Sequence, residues 1–210
     1  MERLLGILTF QGWAYREIAD DGEETLTAFM IVLLGVVCGS FLLGDADPRT
    51  AAVLALLGDK FGLTAQASQL FLIATDALLS VLGWFLAAVL LALVGMAFGG
   101  SGSIGAMLRT TGYAQFFSLL ALLPSAGIAL LHLPSTVLVL NFLFGLLGLI
   151  AYVVAVAYAA QVGTGAAIGI SCASGCLGTI LAAAIIFALV SLFGSSAIGS
   201  TLLALPTPTP

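Results

Sequence analysis

A glycine-rich loop is the first part of the chain whose residue types and spacing could do chemistry. Gly100-Ser-Gly-Ser-Ile-Gly105 matches the G-x-G-x-x-G pattern of dinucleotide-binding proteins. That pattern binds a pyrophosphate only where it joins a strand to a helix whose N-terminus faces the phosphates. Here the loop follows a long apolar segment, and no alternation of strands and helices surrounds it. The sequence therefore predicts a flexible turn at this position.

A second pattern, Cys172-Ala-Ser-Gly175, is similar to the Gly-x-Ser-Gly of intramembrane serine proteases. A nucleophilic Ser174 needs a histidine base within hydrogen-bonding reach. The single histidine, His132, precedes the serine and is predicted near the opposite membrane face, whereas those proteases place it on a later helix. Helix packing explains the segment better, because small residues recur at every fourth position. They are Gly165, Gly169 and Ala173 in one row, and Ser171, Gly175, Thr179 and Ala183 in another.

Metal and cofactor binding would depend on cysteine and histidine. Cys172 and Cys176 share a helix face, but the only further ligands are His132 and the distant Cys38, so packing is favoured over metal binding. His132 could ligate a haem or a chlorophyll, yet its place beside Pro134 at a helix end favours contact with headgroups. We expect no catalytic residue, no metal ion and no cofactor.

Two charged residues near predicted membrane spans are functional candidates. Asp76 could serve a proton or ion relay, as intramembrane acids often do. A helix that starts at Thr75 or Asp76 would instead make Asp76 an interfacial residue or cap, and this is favoured because charge is costly in hydrocarbon. Arg109 stands at the entry of a predicted span beside Gly112 and Tyr113. It is predicted either to anchor in the headgroups or to make an interaction together with these two residues.

The composition indicates the environment in which these residues work. Hydrophobic residues make up 61% of the chain and charged residues 7%, against about 25% charged residues in soluble domains. No Lys, Arg, Asp or Glu follows Arg109. A net charge of −5 with five basic residues excludes a nucleic-acid-binding surface. Three cysteines in apolar stretches argue against a disulfide framework. The chain is therefore predicted to be a polytopic membrane protein.

The predicted fold is all-α, with five transmembrane helices and one or two short interfacial helices. A bilayer core about 30 Å thick requires roughly 20 apolar helical residues. Residues 1–24 are predicted to form an amphipathic interfacial helix, over 3–19, and an acidic turn. A second short surface helix is expected after Asp47-Pro48. Residues 195–210 read as a frayed tail. The transmembrane domain, 25–194, contains five apolar segments at about 25–43, 70–98, 113–131, 135–160 and 166–193.

Basic residues give a weak preference for orientation. With five spans and a cytoplasmic N-terminus, Arg3, Arg16 and Arg109 lie inside, while Arg49 and Lys60 lie outside. Three basic residues inside against two outside favour this orientation by the positive-inside rule.

Several stretches resemble bacterial proteins of the YIP1 family. The run that begins at Leu82-Gly-Trp-Phe and continues through the glycine-rich loop to Thr111-Gly-Tyr-Ala-Gln115 resembles that family's second helix, loop and entry to the third helix. The run from Phe144 to Ala160, with the following Thr164-Gly-Ala-Ala-Ile168, is similar to its fourth helix and the turn into the fifth. Ala14-Tyr-Arg-Glu-Ile-Ala19 is similar to its entry segment. The resemblance covers most of the chain and implies five transmembrane helices.

The chain also departs from the family pattern. Gly12 or Trp13 stands where relatives often have proline, and Ala157, Gln161 and Gly163 stand where they often have Arg and Asp. Eukaryotic relatives are implied to act in vesicle trafficking and to bind small GTPases. That role is not carried over, because their long cytosolic N-terminal region has no counterpart here.

The expected function is non-enzymatic: an integral membrane protein, in a bacterial inner membrane, that organises or scaffolds other membrane components through helix packing. The expected partners are membrane lipids and other integral membrane proteins, or a second copy, and no nucleic acid. One alternative is an accessory subunit of a larger complex, such as an energy-transducing one. A weaker alternative is a small transporter or channel. The candidate residues are Arg109, Gly112, Tyr113, Gly165, Gly169 and Gly175 for packing or interaction, and Asp76 as an intramembrane acid.

Overall fold

The computed structural model describes residues 2–43, 58, 62, 64–131 and 137–193. The regular structure in these residues is entirely α-helical, which confirms the predicted class. His132, residues 48–57, Arg49, Lys60 and the 195–210 tail lie outside the described residues. The helices are α1 (Glu2–Leu8), α2 (Gly12–Asp20), α3 (Glu24–Leu43), α4 (Ala65–Ala97), α5 (Ile104–Ala114), α6 (Phe116–Leu131), α7 (Val137–Ala160) and α8 (Thr164–Phe193).

The N-terminal segment forms two short helices where the sequence predicts one. The chain turns between α1 and α2 at Phe10, which has φ +55°. A second turn, bent by 111°, leads from α2 into α3. Because α1 and α2 pack on each other, this segment is a folded arm.

The apolar face of α2 is covered by protein. Ala14, Tyr15, Ile18 and Ala19 are buried on it, and α2 packs against α5 and α7. The sequence predicts an amphipathic helix over 3–19, and the structure agrees in giving α2 an apolar face. It differs in what covers that face, since helices α5 and α7, not headgroups, contact it. Trp13, on the other side of α2, remains exposed.

Three described helices are long and apolar enough to cross a membrane: α4, α7 and α8. The bent pair of α2 and α3 would add a fourth span if it is counted as one. The predicted third span, 113–131, corresponds to the end of α5 followed by α6, and the helix is interrupted at Gln115. At 16 residues, α6 is about 24 Å long and falls short of the bilayer core when counted alone.

Helix starts also differ from the sequence-based bounds. Helix α4 begins at Ala65, where the Thr64 hydroxyl caps it by accepting from the Ala67 amide. Helix α5 begins at Ile104, capped in the same way by Ser103. Both caps satisfy backbone N–H groups that a helix start leaves without intrahelical partners. Each helix therefore starts several residues before the apolar run that predicts it.

The bundle buries small residues and exposes large apolar ones. Its core contains many alanines, and large apolar side chains such as Leu78, Phe85, Phe142 and Phe187 are exposed. A water-soluble domain places these residues the other way round. Small residues let helix backbones approach closely in lipid, where apolar burial alone gives little driving force. The buried alanines include Ala88, Ala92, Ala106, Ala151, Ala155, Ala159, Ala160 and Ala167.

Candidate functional site: the α2 junction and an intramembrane cavity

Arg109 holds the C-terminal end of α2. Its Nε donates to the carbonyl oxygen of Ile18 at 3.0 Å, and a terminal nitrogen donates to the carbonyl of Ala19. A weaker contact of 3.5 Å reaches the Thr25 hydroxyl at the start of α3. Helix C-terminal carbonyls lack intrahelical partners and carry partial negative charge, so a guanidinium suits them. Arg109 therefore joins α5 to α2 and α3, at a contact that we call the α2 junction.

Tyr113, one helical turn after Arg109 on α5, contacts the same junction. Its hydroxyl donates to Glu24 at the start of α3, and Glu24 also accepts from Arg3 of α1. Arg3 further donates to Asp21 at 2.8 Å and to Glu17 at 2.7 Å. One guanidinium thus connects three carboxylates from α2, the acidic turn and α3. This network fixes the folded arm against the bundle.

The network shifts the ionisation of its members. The hydrogen bond from Arg3 lowers the pKa of the Asp21 carboxyl. In return, Asp21 and then Glu17 raise the pKa of Arg3. The ionised forms are favoured on both sides, as expected for opposite charges in contact. Since Arg3 and Asp21 are both only half-buried, this one ion pair contributes little to stability.

Gly112 allows α5 to cross α3 and α4 closely. A Cβ at this position would lie 2.7 Å from the Ala28 Cβ and 3.0 Å from the Trp84 ring. Such contacts are shorter than real Cβ atoms make, so a larger residue would separate the helices. Beside it, Trp84 Nε1 donates to the Thr111 hydroxyl at 3.2 Å. Arg109, Gly112 and Tyr113, which the sequence singles out together, therefore all contact α3, and Arg109 also reaches α2.

The glycine-rich loop is packed against the end of α7. The Ser101 amide donates to the Ala160 carbonyl at 3.0 Å. A Cβ on Gly102 would lie 2.8 Å from both the Ala159 carbonyl carbon and the Ala160 Cα, with the Ala159 oxygen closer still. The loop connects α4 to α5, and it is packed against α7 where the sequence predicts a flexible turn. Its glycines allow close backbone contact with α7. The element before the loop is helix α4, whereas a dinucleotide-binding fold has a strand at that place.

Helix α2 also docks on α7 through aromatic contacts. The rings of Tyr15 and Tyr158 stack with centroids 6.1 Å apart, and the Arg16 guanidinium lies 5.8 Å from the centre of the Tyr158 ring. A Cβ on Gly12 would lie 2.9 Å from the Tyr158 Cε1, with the ring carbon Cζ and the hydroxyl closer still. Gly12 thus leaves the space that Tyr158 fills.

Asp76 lies inside α4, twelfth in the helix, and does not cap it. It is exposed, and its Oδ2 accepts from the Ser40 hydroxyl of α3 at 2.8 Å. At 1.5 Å per residue, Asp76 stands about 31 Å along α4 from Ala97, which is close to the thickness of the bilayer core. If Ala97 marks one face, Asp76 therefore lies near the other. An interfacial position remains the better prediction.

The glycines of α8 have few neighbours in the described chain. A Cβ on Gly169 would lie 3.3 Å from the ring of Phe98, whereas Gly165 and Gly175 have no atom within 4 Å of that position. Cys172 and Cys176 are exposed. The described residues contain no group of three or more His, Cys, Asp or Glu that could hold a metal. Ser174 is buried, and its hydroxyl has no hydrogen-bond partner among the described residues.

A polar cavity lies between α3, α4, α5 and α7. Its volume is about 470 Å³, and its walls include Ser80, Trp84, Thr111 and Tyr152. A second cavity of about 380 Å³, on the α6–α7 side, shares Gln115, Ser118 and Tyr152 with the first. The sequence shows these polar residues only as scattered interruptions of apolar runs. The folding of four helices brings them together.

Sequence reasoning missed part of the junction as well. Arg3 and Tyr158 have no local motif, and the carbonyl acceptors of Arg109 carry no side-chain signature. Gln115 offered one usable signal, since it is a lone amide within an apolar segment. Gly165 and Gly175 are separate from the junction, and Asp76 lies toward the other end of α4.

These features define a class of protein: an all-helical integral membrane protein whose N-terminal arm is docked on a bundle of apolar helices. Within that class, the chain belongs to the Yip1 domain family, which matches residues 5–186. The match includes the contacts of Arg109 with α2, the glycine-rich loop and the cavities, whereas Arg3 lies before it. No curated protein and no solved structure matched the chain.

Proposed function

We propose that this protein is a non-enzymatic organiser of membrane components that binds partner helices through the outer face of α8. The observation that carries the proposal is the exposure of small residues on this helix. Gly175, Thr179 and Ala183 follow one another at four-residue spacing, and all three are exposed. Helix α8 packs mainly against α4 and α7. This face is therefore open to another helix.

The physical basis is the way helices associate in lipid. Leaving acyl chains for another helix gains little hydrophobic free energy, so association depends on close packing and interhelical hydrogen bonds. Small residues in a row let a second backbone approach and make dispersion contacts along its length. The partner in this proposal is another integral membrane protein or a second copy of the chain.

The proposed topology has five spans and a cytoplasmic N-terminus, in a bacterial inner membrane. In it, α5 and α6 together form the third span, interrupted at Gln115. Arg3, Arg16 and Arg109 all lie around the α2 junction, at one end of the bundle. Their common position supports placing them on one side, as the positive-inside rule requires.

Replacing Gly175 with Leu tests the proposal. The new side chain meets no atom of the described chain within 4 Å of its Cβ, so the bundle should fold while the partner backbone is pushed away. We expect recovery of the partner in mild-detergent pull-down, measured by mass spectrometry, to fall about tenfold, which corresponds to ~1.4 kcal/mol.

The matched control is Gly145→Leu on α7, where a new Cβ also meets nothing within 4 Å. It should leave partner recovery unchanged, and both variants should elute as monodisperse protein. Equal recovery from wild type and Gly175→Leu would show that α8 is not the binding face. If wild type retains neither another membrane protein nor a second copy, the organiser function itself is wrong. Recovery of a fixed set of large subunits would instead favour the accessory-subunit function.

A further inference from the structure

The polar cavity between α3, α4, α5 and α7 lies near the middle of the predicted membrane layer. Tyr152 is eight residues before the end of α7, and Trp84 is thirteen before the end of α4. At 1.5 Å per residue these positions lie about 12 Å and 20 Å below the end of the bundle that carries the α2 junction. A hydrocarbon core about 30 Å thick has its midplane between them.

Several polar groups on the cavity wall have no partner in the described part of the chain. Thr111 is satisfied, because its hydroxyl donates to the Met107 carbonyl at 2.6 Å and accepts from Trp84. The Gln115 side-chain oxygen accepts from Ser118 at 3.1 Å. In contrast, the Gln115 amide nitrogen and the hydroxyls of Ser80 and Tyr152 make no hydrogen bond with other described residues. Each of these three groups can donate.

Unpaired donors at this depth constrain what fills the cavity. A polar group without a partner costs several kcal/mol in hydrocarbon, so an occupant that offers acceptor oxygens is favoured. The described lining contains no ionisable acid or base other than the tyrosine, and a charged occupant would therefore lack a counter-charge. The remaining wall of this cavity is apolar, with Val32, Val36 and Ala87 among its residues.

We propose that this cavity is a binding site for an uncharged, lipid-soluble molecule that carries carbonyl oxygens. The donors of Ser80, Gln115 and Tyr152 bind the carbonyls, and the Trp84 ring forms part of the wall beside them. The volume of about 470 Å³ lies within the range of small-molecule sites. Two sources supply this chemistry: the acyl ester of a membrane lipid and the ring carbonyl of a quinone.

The chain provides its own reporter for the test. Trp13 and Trp84 are its two tryptophans, so a Trp13→Phe background leaves Trp84 as the single fluorophore. The fluorescence of Trp84 is measured while this protein is titrated with a short-chain benzoquinone, because a bound quinone quenches it. Native mass spectrometry of protein released from its own membrane measures ester lipid that remains bound. Saturable quenching identifies the quinone source, and stoichiometric retained lipid identifies the lipid source.

Three variants show whether the ligand occupies this cavity. Gly83→Leu adds a large side chain at the wall of the cavity, since Gly83 lines it and a new Cβ there meets nothing within 4 Å; binding should be weakened about tenfold or more. Tyr152→Phe removes one donor without changing shape and should weaken binding about fivefold. Gly165→Leu, on the outer face of α8, should bind as the wild type does. The proposal is overturned if neither ligand binds the wild type, or if Gly83→Leu and Tyr152→Phe bind as tightly as the wild type.

Discussion

Gly102→Ala should remove most of the folded protein, although it adds a single methyl group. The new carbon would lie 2.8 Å from the Ala159 carbonyl carbon and from the Ala160 Cα. Both atoms are main-chain atoms at the end of a transmembrane helix, so they cannot turn aside as a side chain would. The loop must move away instead, and the hydrogen bond from Ser101 to Ala160 is then lost. We expect a destabilisation of about 3 kcal/mol or more, the upper end of the cost of overpacking.

The measurement is the fraction of monodisperse protein that survives heating in mild detergent, followed by size-exclusion chromatography. Gly165→Ala is the matched control, because a Cβ there meets nothing within 4 Å. It should be neutral or slightly stabilising, since alanine favours a helix by up to about 1 kcal/mol relative to glycine. If the two variants lose monodisperse protein at the same temperature, the loop is not held against α7 as the structure describes.

Arg109→Met should release α2 while the long helices stay assembled. The substitution keeps an unbranched side chain but leaves the carbonyls of Ile18 and Ala19 without their donor. Hydrogen bonds to a charged group contribute about 1.5–3 kcal/mol, so we expect a loss of that size, concentrated in the arm. Amide hydrogen exchange resolved by peptide should rise in residues 12–20 and stay low in α7.

Arg16→Met is the comparison for this variant. It removes a second arginine from the same arm, but one whose described contact is with the Tyr158 ring at 5.8 Å. Such a contact is worth about 0.5–1 kcal/mol at an exposed site, so exchange in residues 12–20 should change far less. Equal protection in Arg109→Met and wild type would mean that the arm is held by its apolar face alone.

The sequence predicts the long helices well because their signal is local. Uninterrupted apolar runs between glycine and proline breaks predict segments at 135–160 and 166–193, and the structure has helices at Val137–Ala160 and Thr164–Phe193. The interruption at Gln115 was not predicted, because the apolar pattern continues on both sides of it. Likewise, the separation of α1 from α2 depends on one positive φ at Phe10, a residue type that seldom adopts it.

The site was harder to predict, because it is made of contacts between distant segments. Arg109 was singled out by its place in a charge-poor chain, but its acceptors are main-chain oxygens about ninety residues away. The cavity combines Ser80, Gln115 and Tyr152 from three parts of the sequence. None of the three belongs to a local motif, and only helix packing brings their side chains into the same cavity.

The way Arg109 holds α2 also affects how the protein can evolve. A guanidinium that binds main-chain oxygens makes no contact that depends on the side chains of the residues that supply those oxygens. Ile18 and Ala19 are therefore constrained by their own burial and not by the identity of residue 109. Within related chains, position 109 should show little covariation with positions 18 and 19. As far as Arg109 is concerned, the arm could be exchanged between relatives, provided that it still ends in a helical turn and keeps the contacts of Tyr15 and Gly12 with Tyr158.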